Sequence, residues 1–584
     1  MKTIVFDEKT NKRLRILALA VIVILISWPP LFMSMAKGHD MLFHLQRIEG
    51  IREDASWHSL PVRMQSGWMQ GYGYPVSVLY GDMFLYIGAI FRKIGLPVMA
   101  SFRLFLLCVN TATVVISYFS FKTFNKGWAP VIATFAYTAS SYRLVDVYVR
   151  SAIGETLAIT FFPAIVACMH MIYVEADRKC RRRYAVIMSF AFLAVILSHT
   201  LTTSMMLVVL ALLCPVSLVI FGIKGERLRQ FGDIVISGLL TIVLAAFFIV
   251  PFLDFYLTAD IAFALDKVNH IQGEGVDLAS LLEFVCNPFE NAASEIQRTP
   301  GPVLMTALVV ALIYIAYSFV RKVKFANRGR MIFEAGSSLL LLLMSSRVFP
   351  WDWIEENVPV VGGIVTAIEF PMRYLAFAIV FLAFLTCDLF GALFAASGDE
   401  GAKSTDMRHK VIEGGCYAIV CLLCIFNIAQ LCVHSRTYDK RADFATREDL
   451  GVWEYYSMDF QLANSTVENL PLGLVYEGLE SMEVLSRNSN DFQIAATSGP
   501  EYGWIQLPVF NYKYYHAEDL QDPSKKFEIH DGGNRTVGVL LPGNYSGIVH
   551  IYWQEPILWR ITELISLLTF ILCAVYLLRS AKPK

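Results

Sequence analysis

Long apolar segments recur along this chain and constrain its fold more than any other feature. An α-helix needs roughly 20 apolar residues to cross the hydrocarbon core of a bilayer. Twelve segments have close to that length, which predicts a polytopic, mostly α-helical membrane protein. The predicted spans are residues 14–35, 76–92, 101–121, 153–174, 184–199, 201–222, 232–252, 302–320, 332–346, 372–395, 411–433 and 557–579.

The composition agrees with this class. Of the 584 residues, 56% are hydrophobic and 17% are charged, whereas a soluble domain carries about 25% charged residues. The net charge of −1 gives no indication of nucleic-acid binding. The eleven Cys lie mostly within apolar segments and have no paired loop spacing. The cysteines therefore predict neither a disulfide framework nor a zinc site.

Basic loops orient the predicted spans. Residues 175–183, 224–229 and 321–330 are rich in Lys and Arg, and such loops face the cytoplasm. All three can do so only if the short apolar piece 129–139 is re-entrant, or lies at the outer face, rather than spanning. A re-entrant segment is tolerated where it is buried in protein. We therefore expect a plasma-membrane protein with both termini in the cytoplasm.

Residues 434–556 have a different pattern and are predicted to lie outside the membrane. Short runs such as 492–496 and 547–553 alternate apolar and polar residues, and turn signals such as Pro542-Gly543-Asn544 separate them. This pattern is typical of a β-sandwich. The predicted regions are a transmembrane domain (1–433), an extracytoplasmic β-sandwich-like domain (434–556), and a final transmembrane helix with a cytoplasmic tail (557–584).

The loop after the first predicted span concentrates ionisable residues where a membrane helix emerges. These residues are His39, Asp40, His44, Arg47 and Glu49. Apolar residues at helical spacing from Phe43 to Ile51 predict an interfacial amphipathic helix. Asp40, His44 and Arg47 have the spacing to share one face of that helix. An ordinary solvated helix explains the same spacing.

Three other outer segments carry residues suited to a phosphate or a sugar. Residues 142–156 contain Arg150 and Glu155, and Glu155 begins an apolar segment. His199 lies at the outer turn between two predicted spans. Glu369 and Arg373 flank the start of another span, and a guanidinium group binds phosphate oxygens in bidentate fashion.

Each of these residues also has a structural explanation. A carboxylate such as Glu155 is favoured at a helix N-terminus by the helix dipole. A single His such as His199 is more often structural than catalytic, and Arg373 has the length to snorkel at the interface. One topology nevertheless places the whole set at the outer face, which indicates a common site: Asp40, Arg150, Glu155, His199, Glu369 and Arg373.

An ordered set of short motifs resembles a bacterial family of integral membrane proteins. The motifs are Gly38-x-Asp40-x-x-Phe43-His44-Leu45-x-Arg47-Ile48, Leu60-Pro61-x-Arg63, Gly71-Tyr72-Gly73-Tyr74-Pro75, Arg150-x-x-x-Gly154-Glu155, Ser198-His199, Phe370-Pro371-x-Arg373 and Trp453-Glu454-Tyr455. The family comprises the YfhO-like and 6-pyruvoyl-tetrahydropterin synthase-related proteins of the GT-C glycosyltransferase superfamily. The resemblance covers nearly the whole chain, although Glu369 and Met372 stand where the family usually has Gln and Trp.

The resemblance implies a GT-C-like fold, with residues 1–433 as the catalytic domain. It implies an inverting transferase that moves a sugar from a polyprenyl-phosphate carrier to an outer acceptor, with Asp40 as the general base on the acceptor hydroxyl. Arg47, Arg150 or Arg373 would stabilise the departing phosphate. The predicted substrate-binding set is His39, His44, Arg47, Arg150, Glu155, His199, Glu369 and Arg373.

The implied partners are a polyprenyl-phosphate-linked sugar, an acceptor that is a cell-wall glycan, a lipid or a protein, and the bilayer itself. No nucleotide is required, and the sequence has no phosphate-binding glycine loop. No cofactor is certain. Some members of the superfamily use a divalent cation, and Mg²⁺ or Mn²⁺ would then bind Asp40, but no second acidic ligand pairs clearly with it.

Two other functional classes remain open at this point. A transporter or flippase of lipid-linked glycans predicts ionisable residues near the middle of spans and some repeat symmetry, whereas mid-span charges are sparse here and no repeat is present. A non-catalytic membrane scaffold that binds glycan through its outer β domain would leave Asp40 dispensable.

Overall fold

Helices form most of the structure, and a block of β-strands precedes the last helix. The structure is a computed structural model that describes residues 8–580. The residues within that range that it does not describe are 58, 259–269, 286–297, 359–361, 364–367, 395–406, 439, 443, 445–472 and 534. The motif at residues 453–455 and the first part of the predicted outer domain lie outside the described residues.

The helices are numbered in chain order. They are α1 (Glu8–Ile26), α2 (Trp28–Phe32), α3 (Met41–Asp54), α4 (Val76–Leu79), α5 (Tyr86–Lys93), α6 (Val98–Phe121), α7 (Ala129–Thr138), α8 (Ser141–Val145), α9 (Ile153–Val174), α10 (Arg178–Ile196), α11 (Thr200–Phe221), α12 (Arg227–Leu244), α13 (Ala246–Thr258), α14 (Pro302–Val320), α15 (Arg328–Met344), α16 (Trp351–Asn357), α17 (Leu375–Phe394), α18 (Met407–Thr437) and α19 (Ile557–Ser580).

Seven helices of the described chain are long and apolar enough to cross a membrane, or eight if the bent pair α12 and α13 forms one span. The predicted count of about twelve is not confirmed. Some predicted spans do not meet the same criterion because α1 and α10 begin with clusters of Lys and Arg, and α15 has only 17 residues. The membrane class itself is supported by the long apolar helices.

The predicted span at 76–92 is not a continuous helix. The segment forms α4, a 3-10 turn (Met83–Leu85) and α5. Arg47 of α3 donates from Nη2 to the carbonyl oxygen of Gly81 at 2.6 Å, and Arg92 of α5 pairs with Glu49 of α3 through Nη2 and Oε2 at 3.1 Å. Since α3 contacts both the middle and the end of the segment, the segment runs alongside α3 and does not cross the bundle.

The short apolar piece at 129–139 lies on the path that returns the chain from the end of α6 to the start of α9. The hydroxyls of Thr113 on α6 and Thr160 on α9 are 2.8 Å apart, and the rings of Phe124 and His170 farther along are 4.3 Å apart. Helices α6 and α9 therefore run in the same direction. The chain between them must return to the starting end, and α7, buried along its length, forms part of this path. The prediction that this piece does not cross is thus wrong.

The predicted β-rich region before the last helix is confirmed, and its strands form a sandwich. Its strands are β1 (Val475–Glu477), β2 (Leu479–Asn488), β3 (Asp491–Ser498), β4 (Tyr502–Phe510), β5 (Tyr515–Asp519), β6 (Glu528–Asp531), β7 (Thr536–Pro542) and β8 (Ser546–Trp553). They pair antiparallel in two sheets, of order β1-β4-β7-β6 and β2-β3-β8-β5. Apolar residues from both sheets, such as Ile494 and Val539, are fully buried between them.

The sandwich rests on the helical domain through polar and aromatic contacts. Asp254 of α13 accepts hydrogen bonds from Lys513 Nζ at 2.6 Å, the Tyr514 hydroxyl at 2.5 Å and Trp559 Nε1 at 3.2 Å. The backbone N–H of Phe510 donates to the carbonyl oxygen of Tyr72 at 3.0 Å. The two domains therefore meet next to the loop that follows α3.

The path of the chain through α7 predicts from which side of the membrane a cysteine at position 126 can be labelled. We expect Lys126→Cys to react with a membrane-impermeant maleimide on the same side as Cys180, because both lie at the end of the bundle that holds Phe124 and His170. Lys525→Cys, on the sandwich, should react from the opposite side. Labelling is measured in sealed vesicles, each site in a background that lacks the other accessible cysteines. Reaction of residue 126 on the side of residue 525 would contradict this path.

Candidate active site

Asp40 is held at one end of the helical bundle by backbone pairing with the segment before α9. Its N–H donates to the carbonyl oxygen of Arg150 at 2.8 Å, and the N–H of His39 donates to that of Val149 at 3.3 Å. Gly38 permits this approach, because a Cβ atom there would lie 2.0 Å from Ser151 Oγ. Two segments that the sequence placed at the outer face separately are thus in direct contact.

The Asp40 side chain is partly exposed and is not used to cap α3. Asp40 precedes the first turn of α3, yet its side chain makes no capping hydrogen bond to that helix. Burial raises the pKa of Asp40, and the charges of Arg150 and Arg373 oppose this effect. A carboxylate with a raised pKa is a stronger proton acceptor than an ordinary surface Asp.

Arg150 is buried between two carboxylates. Its Nη1 lies 2.7 Å from Asp146 Oδ1 and 3.0 Å from Glu155 Oε2. The Tyr142 hydroxyl donates to the second oxygen of Glu155, and Thr156 Oγ1 donates to Asp146 at 3.0 Å. Residues 146–150 form a π-helical turn, which brings Asp146 and Arg150 to the same side. Glu155 therefore does more than cap the dipole of α9, because it orients Arg150.

Arg373 reaches the same network from the segment before α17. Its Nε lies 3.7 Å from Glu155 Oε2, and its Nη1 donates to Glu369 Oε2 at 3.1 Å and to the carbonyl oxygen of Ile368 at 3.2 Å. Only 11% of the Arg373 side chain is exposed, whereas 45% of Glu369 is. The interfacial snorkelling considered for Arg373 is therefore not what the structure shows.

Arg298 is a member of the cluster that the motifs did not predict. It is 9% exposed, its Nε has no hydrogen-bond partner, and the described part of the chain offers it no carboxylate within ion-pair distance. Burial, together with the charges of Arg150 and Arg373, lowers the pKa of Arg298 to about 10. The sequence held one signal for it, since Arg298 precedes an apolar segment at the outer face just as Arg373 does.

The three histidines differ in their relation to this cluster. His39 is exposed and adjacent to Asp40. His199 caps α11, with its Nδ1 2.6 Å from Thr202 Oγ1, and burial lowers its pKa to about 3, with Arg373 as the next cause. His44 is buried, and its Nδ1 lies 3.4 Å from Arg47 Nη1. His199 is therefore a neutral hydrogen-bonding group near Arg373.

Arg47 has a structural environment. Its Nη2 donates to the carbonyl oxygens of Gly81 at 2.6 Å and Tyr80 at 3.1 Å, and its guanidinium group lies 4.3 Å from the centre of the Tyr80 ring. Arg47 is 1% exposed. These contacts hold the turn at residues 80–82 against α3. Of the three residues predicted to share one face of α3, His44 and Arg47 are buried and Asp40 is partly exposed.

Among the described residues, no cluster of potential ligands supports the predicted metal site at Asp40. Among the described residues, one group of three potential ligands brings its ligand atoms within 4.8 Å of one another, and it consists of His270, Asp352 and Glu355. Asp40 is not a member. Binding of Mg²⁺ or Mn²⁺ by Asp40 therefore stays a prediction.

No protein-family profile matches this sequence. It is similar to a curated protein of Lactococcus lactis subsp. cremoris, described as uncharacterized, with 24% identity over 348 residues. The match covers 56% of this chain and 53% of that protein. The chain thus spans about half the length of the curated relative.

The chain is similar to several solved structures at low TM-scores. The Archaeoglobus fulgidus oligosaccharyltransferase has 13% identity and a TM-score of 0.41, over 75% of this chain and 57% of that one. The mycobacterial arabinofuranosyltransferase AftD has 14% identity and a TM-score of 0.36, over 74% and 27%. ArnT from Cupriavidus metallidurans has 11% identity and a TM-score of 0.29, over 82% and 97%. Because these TM-scores lie below 0.5, they establish neither a common fold nor a common activity.

The shared role of Glu155 predicts a large loss of stability when its charge is removed. Glu155→Gln leaves Arg150 and Arg373 buried without their common carboxylate, which should cost about 3 kcal/mol or more. Glu369→Gln is the matched control, since its ion pair is half-exposed and should contribute about 1 kcal/mol or less. Thermal unfolding of both purified variants measures the difference. Equal losses would show that the Glu155 network is not a buried ionic unit.

Proposed function

We propose that this protein is a membrane glycosyltransferase that moves a sugar from a polyprenyl-phosphate donor to an acceptor on the extracytoplasmic face of the plasma membrane. One observation carries the proposal. A carboxylate without a capping hydrogen bond, Asp40, lies within the electrostatic influence of Arg150 and Arg373, and Arg298 lies near both of these arginines. The three arginines come from separate segments, and all are at most partly exposed. A proton acceptor beside clustered guanidinium groups is the arrangement that transfer from a phosphate leaving group needs.

Asp40 acts as the general base in this proposal. It takes the proton of the acceptor hydroxyl while that oxygen forms a bond to the anomeric carbon of the sugar. The bond between the anomeric carbon and the phosphate oxygen breaks on the opposite face, so the configuration inverts. The proton ends on Asp40 and the bonding electron pair ends on the polyprenyl phosphate.

The arginines stabilise the charge that develops on the departing phosphate. Arg150 and Arg373 are already oriented by Glu155, which holds their guanidinium groups in place before substrate binds. Among the described residues, Arg298 has no carboxylate within ion-pair distance, and a buried cation without a counter-ion is costly. An anionic phosphate supplies the missing negative charge, which makes Arg298 the arginine most dependent on the donor.

The acceptor is a hydroxyl-bearing cell-wall glycan, lipid or protein. His199 is neutral and lies near Arg373, so it is suited to a hydrogen bond with the sugar or the acceptor. His39 is exposed beside Asp40 and faces arriving acceptor. Glu369 is half-exposed at the edge of the cluster and is placed to accept a hydrogen bond from a sugar hydroxyl.

Removing the base tests the proposal directly. We expect Asp40→Asn to lower transfer by about 10²–10⁴-fold, the usual contribution of a general base. Transfer is measured in proteoliposomes with a panel of polyprenyl-phosphate sugars and labelled product. The control is Asp54→Asn, at the other end of α3, which should retain activity within about threefold because no step of the reaction involves it.

The pH profile provides the second readout of the same experiment. Burial raises the pKa of Asp40 above its ordinary 3.8, so the wild-type rate should fall as the pH drops through that raised value. Protonation removes the base, and the residual rate of Asp40→Asn should not show this fall. Full activity in the variant would exclude Asp40 as the base, and an inactive wild type across the whole panel would exclude this donor class.

Arg298 gives a separate prediction for the phosphate. Arg298→Gln should lower kcat/KM for the donor by roughly 100-fold, the scale of one lost transition-state donor. Arg347→Gln is the matched control, because Arg347 is also outside the predicted spans but is half-exposed and lies 3.5 Å from Asp277. An unchanged kcat/KM in Arg298→Gln would contradict the role of Arg298 in binding the phosphate.

A further inference from the structure

A histidine and two carboxylates from separate segments meet in a group that does not include Asp40. His270 precedes a 3-10 turn (Ile271–Glu274), and Asp352 and Glu355 lie one helical turn apart on α16. A ring nitrogen of the histidine and one oxygen of each carboxylate all lie within 4.8 Å of one another. In the part of the chain that the structure describes, this is the one group that brings three such ligand atoms together.

Backbone hydrogen bonds hold both carboxylates against the 3-10 turn. The N–H of His270 donates to Glu355 Oε2 at 3.0 Å, and the N–H of Gln272 donates to Asp352 Oδ1 at 3.0 Å. The turn itself is anchored by Ile271, whose side chain is fully buried. The fold therefore places the three side chains together, independently of any attraction between their charges.

The spacing of the histidine and the aspartate differs from that of a direct hydrogen bond. His270 Nδ1 lies 4.0 Å from Asp352 Oδ2, which is too far for a hydrogen bond. Two ligands that bind one Zn²⁺ ion at about 2.1 Å each are roughly 3.4 Å apart in tetrahedral geometry. On the sandwich, by contrast, His550 Nε2 lies 3.0 Å from Asp491 Oδ1, at hydrogen-bond distance. The gap at His270 is thus closer to the span of a bound metal ion.

The group is open to solvent and its surroundings are negatively charged. The side chain of His270 is 65% exposed and that of Asp352 is 35% exposed. An aqueous cation can therefore reach both, and both can rotate to close the remaining gap. Helix α16 carries three acidic residues and no basic one, and the neighbouring Arg347 lies 3.5 Å from a different carboxylate, Asp277. This local charge favours a divalent cation.

We propose that His270, Asp352 and Glu355 bind a Zn²⁺ ion. One imidazole nitrogen and two carboxylate oxygens are a donor set that suits Zn²⁺, whereas Mg²⁺ and Ca²⁺ prefer oxygen ligands alone. Three protein ligands leave a fourth position for water. The site is separate from Asp40, and its occupancy does not depend on the proposed transfer reaction.

The ion joins two segments that flank the arginine cluster. Trp351, the first residue of α16, stacks on Tyr374 with the ring centres 5.4 Å apart, and Tyr374 directly follows Arg373. In the 3-10 turn, the charge of Glu274 partly offsets the lowering of the Arg298 pKa. By tying the turn to α16, the metal stabilises the loops beside these arginines and takes no part in the transfer step.

Zinc binding by the full chain tests this proposal. The purified protein is stripped with EDTA and titrated with Zn²⁺ by calorimetry, and bound metal is counted by inductively coupled plasma mass spectrometry. Because the chain also contains eleven Cys, the readout is the difference between variants. We expect His270→Ala to bind about one Zn²⁺ ion fewer per chain than wild type. Saturating Zn²⁺ should raise the Tm of wild type more than that of His270→Ala, since a ligand stabilises the state that binds it.

Two further proteins make the outcome specific. Glu355→Gln should weaken this zinc site by about tenfold or more, because loss of even an outer partner of a zinc ligand costs that much. His550→Ala is the matched control and should bind Zn²⁺ as wild type does, since the His550–Asp491 pair has no third ligand among the described residues. Unchanged zinc binding in both His270→Ala and Glu355→Gln would overturn the proposal. So would an equal loss in His550→Ala, or displacement of the ion by Mg²⁺ at the same concentration.

Discussion

The free-energy cost of removing charge from water controls the organisation of this helical bundle. Buried ionic groups in the described structure are mostly held in compact sets: Arg150 with Asp146 and Glu155, Arg330 with Asp388, and Arg181 with Asp233. The pairs Arg330–Asp388 and Arg181–Asp233 join helices that are distant in sequence. The set around Arg150 holds the tight turn before α9. Pairing therefore stabilises the bundle where side chains cannot reach water.

Against this background, the groups without partners carry the functional information. Among the described residues, Arg298 is a buried cation with no carboxylate within ion-pair distance, and Glu334 is a buried carboxyl group whose oxygens have no hydrogen-bond partner. They lie at opposite ends of the bundle. An anionic phosphate would supply the charge that Arg298 lacks.

The path of the chain through the bundle was predicted with two errors that cancel. Hydropathy predicted that residues 76–92 span the membrane. In the structure, hydrogen bonds of Arg47 and Arg92 hold this segment alongside α3. The charge rule then required residues 129–139 not to cross, although α7 is part of the return between two parallel helices. Exchanging one crossing for the other leaves the direction of every later helix unchanged. His199 and Arg373 therefore stay at the same end of the bundle in the predicted topology.

The sequence by itself determined the membrane class, the β-rich region before the last helix and the set of polar segments that belong to one end of the bundle. Apolar length, charge bias and strand alternation are local properties, so they can be read along the chain. Only the tertiary structure decided which of those polar residues meet. Arg47 donates to backbone carbonyl oxygens and is not part of the site. Glu155 contacts both Arg150 and Arg373. Arg298 joins the cluster from a segment that carries no predicted motif. Contacts between residues hundreds of positions apart depend on how helices pack, and no local pattern encodes that.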